Sequence, residues 1–191
     1  MLASFSVNKS NKAIPITFVS QNKYSEWLKK QNKFSAQWLV ANQFLGETGN
    51  QILLPDASGK IAQVICIAET KNFWAAGSLP FSLPEGEYYF DLKGDEYINF
   101  AIAWGLGAYQ FSRYKKSKRV PARLILSDKQ KHITNIVESI YLVRDLINTP
   151  TDDMGTSELA SEAEQLAKKY KASIKQIIGK SLLKYNYASI Y

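Results

Sequence analysis

The chain has 191 residues, of which 46% are apolar and 13% aromatic; this suits one domain, or one domain with part of a second, and excludes a disordered chain. Its single cysteine, Cys66, excludes an internal disulfide and sits in VICIA as a buried, inert thiol, in keeping with a reducing compartment. The net charge is +7, no apolar run approaches the ~20 residues of a membrane span, and MLASFSVNKSNK lacks the basic-then-apolar pattern of a signal peptide.

AIPITFVS (13–20) is rich in β-branched residues and predicts the first strand. YSEWLKKQ (24–31) and FSAQWLVANQF (34–44) predict short helices, the second with Phe34, Trp38 and Leu45 near helical spacing and Gly46 and Gly49 at its end. QILLP and IAQVICIA flank the turn DASGK, so 51–68 predicts a hairpin. NFWAAGSL reads as a weak helix, PFSLPEG as a loop and EYYFDL as a strand. Residues 95–114 repeat apolar and small side chains at three and four, the helical period. PARLILS (121–127) predicts a buried strand, and Ser127 with Gln130 a capping box. The helix that follows carries Ile133, Ile136, Val137, Ile140, Tyr141 and Ile147 on one face and ends before Pro150. A helix over 156–170 and a strand SIKQII (173–178) complete the chain. Alternating helices and strands, several strands apolar on both faces, predict an α/β fold: a mixed sheet in three α/β/α layers.

Charge is concentrated. Residues 1–100 balance, whereas Arg113 to Lys131 holds eight basic residues against Asp128 alone. Arg113, Lys115, Lys116, Lys118 and Arg119 form a candidate nucleic-acid patch, since clustered cations release counterions from phosphates. The plain alternative is a solvated helix end and loop, and no nucleic-acid motif accompanies the cluster.

Other motifs point away from chemistry. IGKS (178–181) mimics the end of a phosphate-binding loop, but Ile174 occupies the position of the first glycine, where a β-branched residue cannot turn. GLGAYQ (105–110) lacks the third glycine of a dinucleotide fingerprint and lies in a helix, where glycines serve close packing. His132, the only histidine, reads as a solvated residue in a first helical turn. Asp152 and Asp153 precede a helix start, where carboxylates complement free N–H groups.

The run RDLINTPTDDMGTSELASEAEQLAKKY, followed by IIGKSLLKYNYASIY, resembles the leucyl (cytosol) aminopeptidase family at its junction between N-terminal and catalytic domains. Arg144, Asp145, Leu146, Asn148, Pro150, Met154, Leu159 and Ala160 carry that likeness. AWGLGAYQFSRYKK resembles the bacterial branch and LLPDASGKIAQV resembles the hairpin of the family's N-terminal domain, so the likeness spans roughly 40–191. Thr156 stands where the family has proline at the first helical position, a change that Gly155 and Glu158 offset by capping.

The resemblance implies a macro-domain-like N-terminal regulatory and assembly domain over 1–147 and a hinge over 148–155. Residues 156–191 would then be the helix-strand-helix start of a metallopeptidase domain. It implies a cytoplasmic parent enzyme, homo-hexameric at full length, that removes N-terminal residues from peptides with two divalent ions (Zn, Mn or Mg). The family's metal-binding runs, similar to K-x-D-M-G-G and N-T-D-A-E-G-R, do not occur among these residues. The expectation is therefore an inactive portion that binds no cofactor of its own and is a monomer or weak dimer. Macro domains also bind ADP-ribose, but no glycine-rich phosphate loop at a strand end supports that role here.

Overall fold

A computed structural model describes residues 2–7, 12–117, 119–126 and 130–191. The chain divides into two compact units, Met1–Arg144 and Asp145–Tyr191. The first holds a six-stranded sheet in the order β1-β6-β5-β2-β4-β3: β1 (Phe5–Ser6), β2 (Ile14–Val19), β3 (Gln51–Pro55), β4 (Ile61–Ile67), β5 (Glu87–Phe90) and β6 (Arg123–Ile125). All pairs are parallel except β3 with β4, so the sheet is mixed, as the hairpin requires.

Strand β4 shows why the sheet is covered on both sides. Val64 and Cys66 point into one core with Ile16, Tyr88, Phe100, Trp104, Leu124 and Val137. Ile65 and Ile67 point into the other, with Val19, Tyr24, Leu39 and Leu54. Successive side chains of a strand face opposite ways, so VICIA can be apolar throughout only when both faces are buried. Helices α1 (Tyr24–Lys29) and α2 (Lys33–Ala41) cover the second face; α3 (Leu79–Ser82), α4 (Gly94–Gly107) and α5 (Lys131–Asn148) cover the first. The three-layer α/β/α expectation is met. The hairpin is met as well: Asp56 Oδ1 accepts from the Ser58 and Lys60 amides at 2.8 and 3.0 Å, closing the turn.

Several elements differ from expectation. Two-residue β1, too short to show alternation, precedes the strand predicted first and pairs with β6. In α2 the buried residue is Leu39, while Phe34, Trp38 and Leu45 are exposed; Trp38 instead donates its indole N–H to the Leu53 carbonyl of edge strand β3 at 3.1 Å. PFSLPEG is not all loop, since α3 starts at Leu79 with Pro80 in its first turn, where a missing N–H costs nothing. Helix α4 stops at Gly107 instead of 114. The buried stripe of α5 runs through Ile133 and Val137, and Ile136 and Ile147 fall outside it. The capping box at Ser127 lies outside the described residues.

Helix α4 is buried over its second half, with Phe100, Ala101, Ala103 and Trp104 fully enclosed. Trp104 donates its indole N–H to the Ser4 carbonyl at 3.0 Å, which satisfies a buried donor and ties α4 to the start of β1. Two glycines let neighbours approach its backbone. A Cβ on Gly105 would sit 2.7 Å from Val137 of α5, and one on Gly107 would sit 1.7 Å from the Gly77 carbonyl oxygen.

The second unit holds α6 (Thr156–Tyr170) and α7 (Ser181–Lys184). SIKQII is not a strand: among the described residues no ladder forms there, and a strand needs a neighbour to bond with. Thr149 is the only buried residue among those described in this unit, while Leu159, Ile178, Leu183 and Ile190 are exposed.

Gly107→Ala must push backbone against backbone. The substitution is expected to destabilise the chain by about 3 kcal/mol or more, read as a fall in the urea midpoint.

Candidate functional site

Helix α4 ends where its glycines end, so the cationic run falls on the loop between α4 and β6. Gln110, at the position of the missing third glycine, donates its side-chain amide to the Arg119 carbonyl at 3.1 Å and accepts from the Ser117 hydroxyl. Ser117 also donates to the Arg119 carbonyl at 3.0 Å, so the loop closes on itself. Of the five candidate residues, Arg113, Lys115, Lys116 and Arg119 are exposed, and the Arg113 guanidinium lies 5.9 Å over the Tyr114 ring. Arg119 has a structural task, donating to the Leu83 carbonyl at 3.3 Å. Lys118 lies outside the described residues.

The remaining motifs fall apart from one another. GLGAYQ supplies the packing glycines of α4, which is the role its position in a helix suggested. IGKS leads from a segment without regular secondary structure into the one-turn helix α7. Cys66 is buried, and burial pushes its thiol up to about 12, so the thiolate is suppressed. Asp152 and Asp153 form a 3-10 turn ahead of α6. The helix start itself is capped by Glu158, whose carboxylate accepts from the Gly155 amide at 3.0 Å and the Ser157 hydroxyl at 3.0 Å.

His132 is exposed and helps line a cavity of ≈ 440 Å³ together with Lys93, Gly94, Tyr97 and Gln130, which sequence reading missed. These residues come from the starts of α4 and α5, far apart in the chain and joined only by the fold. Tyr97 is no proton donor for chemistry: its hydroxyl bonds to the Ile125 carbonyl at 3.1 Å, and burial pushes it up to about 12. Among the described residues, no group of three or more His, Cys, Asp or Glu side chains could hold a metal ion. A divalent ion therefore has no fitting donor set among the described residues.

Further along the chain, α5 ends at Asn148, two residues before Pro150. Thr149 turns back with both its amide and its hydroxyl on the Asp145 carbonyl, at 3.0 and 2.7 Å. Upstream, Arg144 donates to the Leu106 carbonyl at the end of α4 at 2.7 Å.

Residues 14–127, five of the six strands with the α1–α4 cover, match the family described as M17 aminopeptidase, N-terminal domain. The chain belongs to the M17 aminopeptidases. It is similar to the cytosol aminopeptidase of Coxiella burnetii, with a TM-score of 0.89 and 33% identity over 95% of this chain and 41% of that one. A probable cytosol aminopeptidase of Sinorhizobium fredii is 28% identical over 94 residues, covering 41% of this chain and 19% of the relative. The leucyl aminopeptidase of Trypanosoma cruzi, at 15% identity and a TM-score of 0.64, shares the fold, over 94% of this chain and 41% of its own. This M17 chain thus spans less than half the length of each of these relatives. Among its described residues no helix is long and apolar enough to cross a membrane.

Hydrogen bonds from its own backbone N–H, the Ser157 hydroxyl and the Gly155 amide hold the Glu158 carboxyl below the ordinary glutamate value. Its folded value is the lower one, so its capping contribution is complete above the unfolded value and is lost as pH falls through the folded one. The Gly155 amide resonance is expected to shift with acidification in that window, and Glu158→Gln should abolish the shift.

Proposed function

We propose that this chain serves as the N-terminal, non-catalytic part of a leucyl aminopeptidase. In this reading, residues 1–147 form a regulatory and assembly domain, 148–155 a hinge, and 156–191 the start of the peptidase domain. The parent enzyme removes N-terminal residues from peptides in the cytoplasm, as a homo-hexamer at full length. Two divalent ions (Zn, Mn or Mg) belong to parts of such an enzyme outside these residues; one fold relative, the bottromycin maturation enzyme BotP, has been solved in complex with Mn. The observation that carries the reading is the match to the Coxiella burnetii enzyme, which runs through both units of the chain.

A chimera tests it. This chain, put in place of the matching portion of the Coxiella enzyme, is expected to give a folded protein that still releases leucine from a leucyl peptide. A folded chimera without activity contradicts the reading. The 191 residues alone, given Mn or Zn, are expected to show no turnover, and turnover by them would contradict the non-catalytic assignment. Sedimentation of the chain alone is expected to show a monomer or weak dimer.

A second reading rests on Arg113, Lys115, Lys116 and Arg119, exposed together on one self-closed loop. It assigns that loop to a nucleic-acid backbone, with affinity that falls as salt rises. Lys115→Glu with Lys116→Glu is expected to abolish binding of a labelled DNA duplex at low salt. No binding by the unaltered chain at low salt eliminates this reading.

A further inference from the structure

We propose that Trp38 closes the free edge of β3, keeping a second copy of this chain from adding its own β3 there. β3 ends the sheet order, so among the described residues no strand pairs with its outer side. Its backbone still offers bonds on that side. The Asn50 carbonyl turns toward β4 and accepts the Ile67 amide at 2.8 Å. In a trans peptide the N–H points opposite to the carbonyl before it, so the Gln51 N–H turns outward. Alternation along an antiparallel strand turns the Leu53 N–H and carbonyl outward as well. A row of such groups is a template for another strand.

Charge is a common protection for such an edge, and β3 has none: residues 48–55, TGNQILLP, are uncharged between Glu47 and Asp56. Ile52, Leu53 and Leu54 make the strand apolar in succession. Two copies laid antiparallel would meet no like charges, so a second β3 is the strand that has to be kept off. The opposite edge of the sheet, β1, is two residues long and offers a neighbour little.

Trp38 meets the outward groups at the middle of β3. Its indole N–H donates to the Leu53 carbonyl at 3.1 Å, an acceptor that an added strand would need. Core packing does not account for the residue: Trp38 is 37% exposed, while Leu39 beside it is fully buried. Both ends of the short helix α2 are capped, which holds the indole in place. Asn32 Oδ1 accepts from the Ser35 amide at 2.8 Å, and the Asn42 side-chain amide donates to the Trp38 carbonyl at 2.8 Å. Pro55 blunts the end of the strand, since it has no N–H to offer.

Sedimentation of the 191-residue chain over a range of concentrations, with amide exchange over 51–55, tests this. In the unaltered chain, exchange over 51–55 is expected to be independent of concentration. In Trp38→Ala the mass should rise toward twice the monomer's as concentration rises. The Gln51 and Leu53 amides should then exchange about tenfold more slowly, the scale of one hydrogen bond gained. Trp38→Lys also loses the indole but sets a charge on the edge, so it is expected to keep the monomer's mass. Trp38→Phe keeps a ring and loses only the N–H, and should associate less than Trp38→Ala. The proposal is overturned by a folded Trp38→Ala of constant mass, by association without slower exchange at Gln51 and Leu53, or by equal association of the Ala and Lys variants. Slower exchange at those two amides on concentrating the unaltered chain also overturns it. Where Trp38→Ala does not fold, Trp38→Phe decides, and a constant mass in that variant overturns the proposal.

Discussion

The structure depends on how closely other elements approach the backbone of α4. At Gly107 the Gly77 carbonyl occupies the space of a Cβ, and at Gly105 Val137 and Phe5 do the same. Packing at that distance leaves no room for a side chain at either position, so α4 is seated by the Gly77 backbone at one glycine and by the Val137 and Phe5 side chains at the other. Other features follow from it. Trp104 reaches the Ser4 carbonyl, which places β1 beside β6 at the sheet edge. The helix ends at Gly107, which puts the cationic segment on a loop. Its last carbonyls are left within reach of α5.

That reading changes what GLGAYQ means. As a pattern it invites comparison with a nucleotide fingerprint. In the fold its glycines face α5 and the turn at Gly77, and its glutamine closes the loop that follows. The signal was a packing signal, and the distinguishing clue was already in the chain: glycines inside a helical period, with no strand just before them.

Much of the fold could be read directly. VICIA predicted a strand buried on both faces, DASGK a hairpin turn, and Pro150 the end of α5; each rests on a local steric or periodic rule. What could not be read depends on distant partners. The pairing of Phe5 with Leu124 has no local signature, because two residues show no alternation. The orientation of α2 was missed because Phe34 and Trp38 outweigh Leu39 in size, yet Leu39 is the residue that meets β3 and β4. SIKQII has strand composition, but composition cannot supply the neighbour a ladder needs. Membership of the M17 family was legible for a different reason. The run at 144–160 carries family resemblance, whereas among the described residues no group of three or more His, Cys, Asp or Glu side chains could hold a metal ion.

The central claim is that α4 seats by backbone contact at Gly107 and Gly77. The most direct measurement is proton–proton cross-relaxation by NMR in the 191-residue chain. A strong cross-peak between the α-protons of Gly107 and Gly77, with a second between the Val137 methyls and the Gly105 α-protons, is the predicted result. A folded chain with dispersed resonances that lacks both cross-peaks would contradict the account.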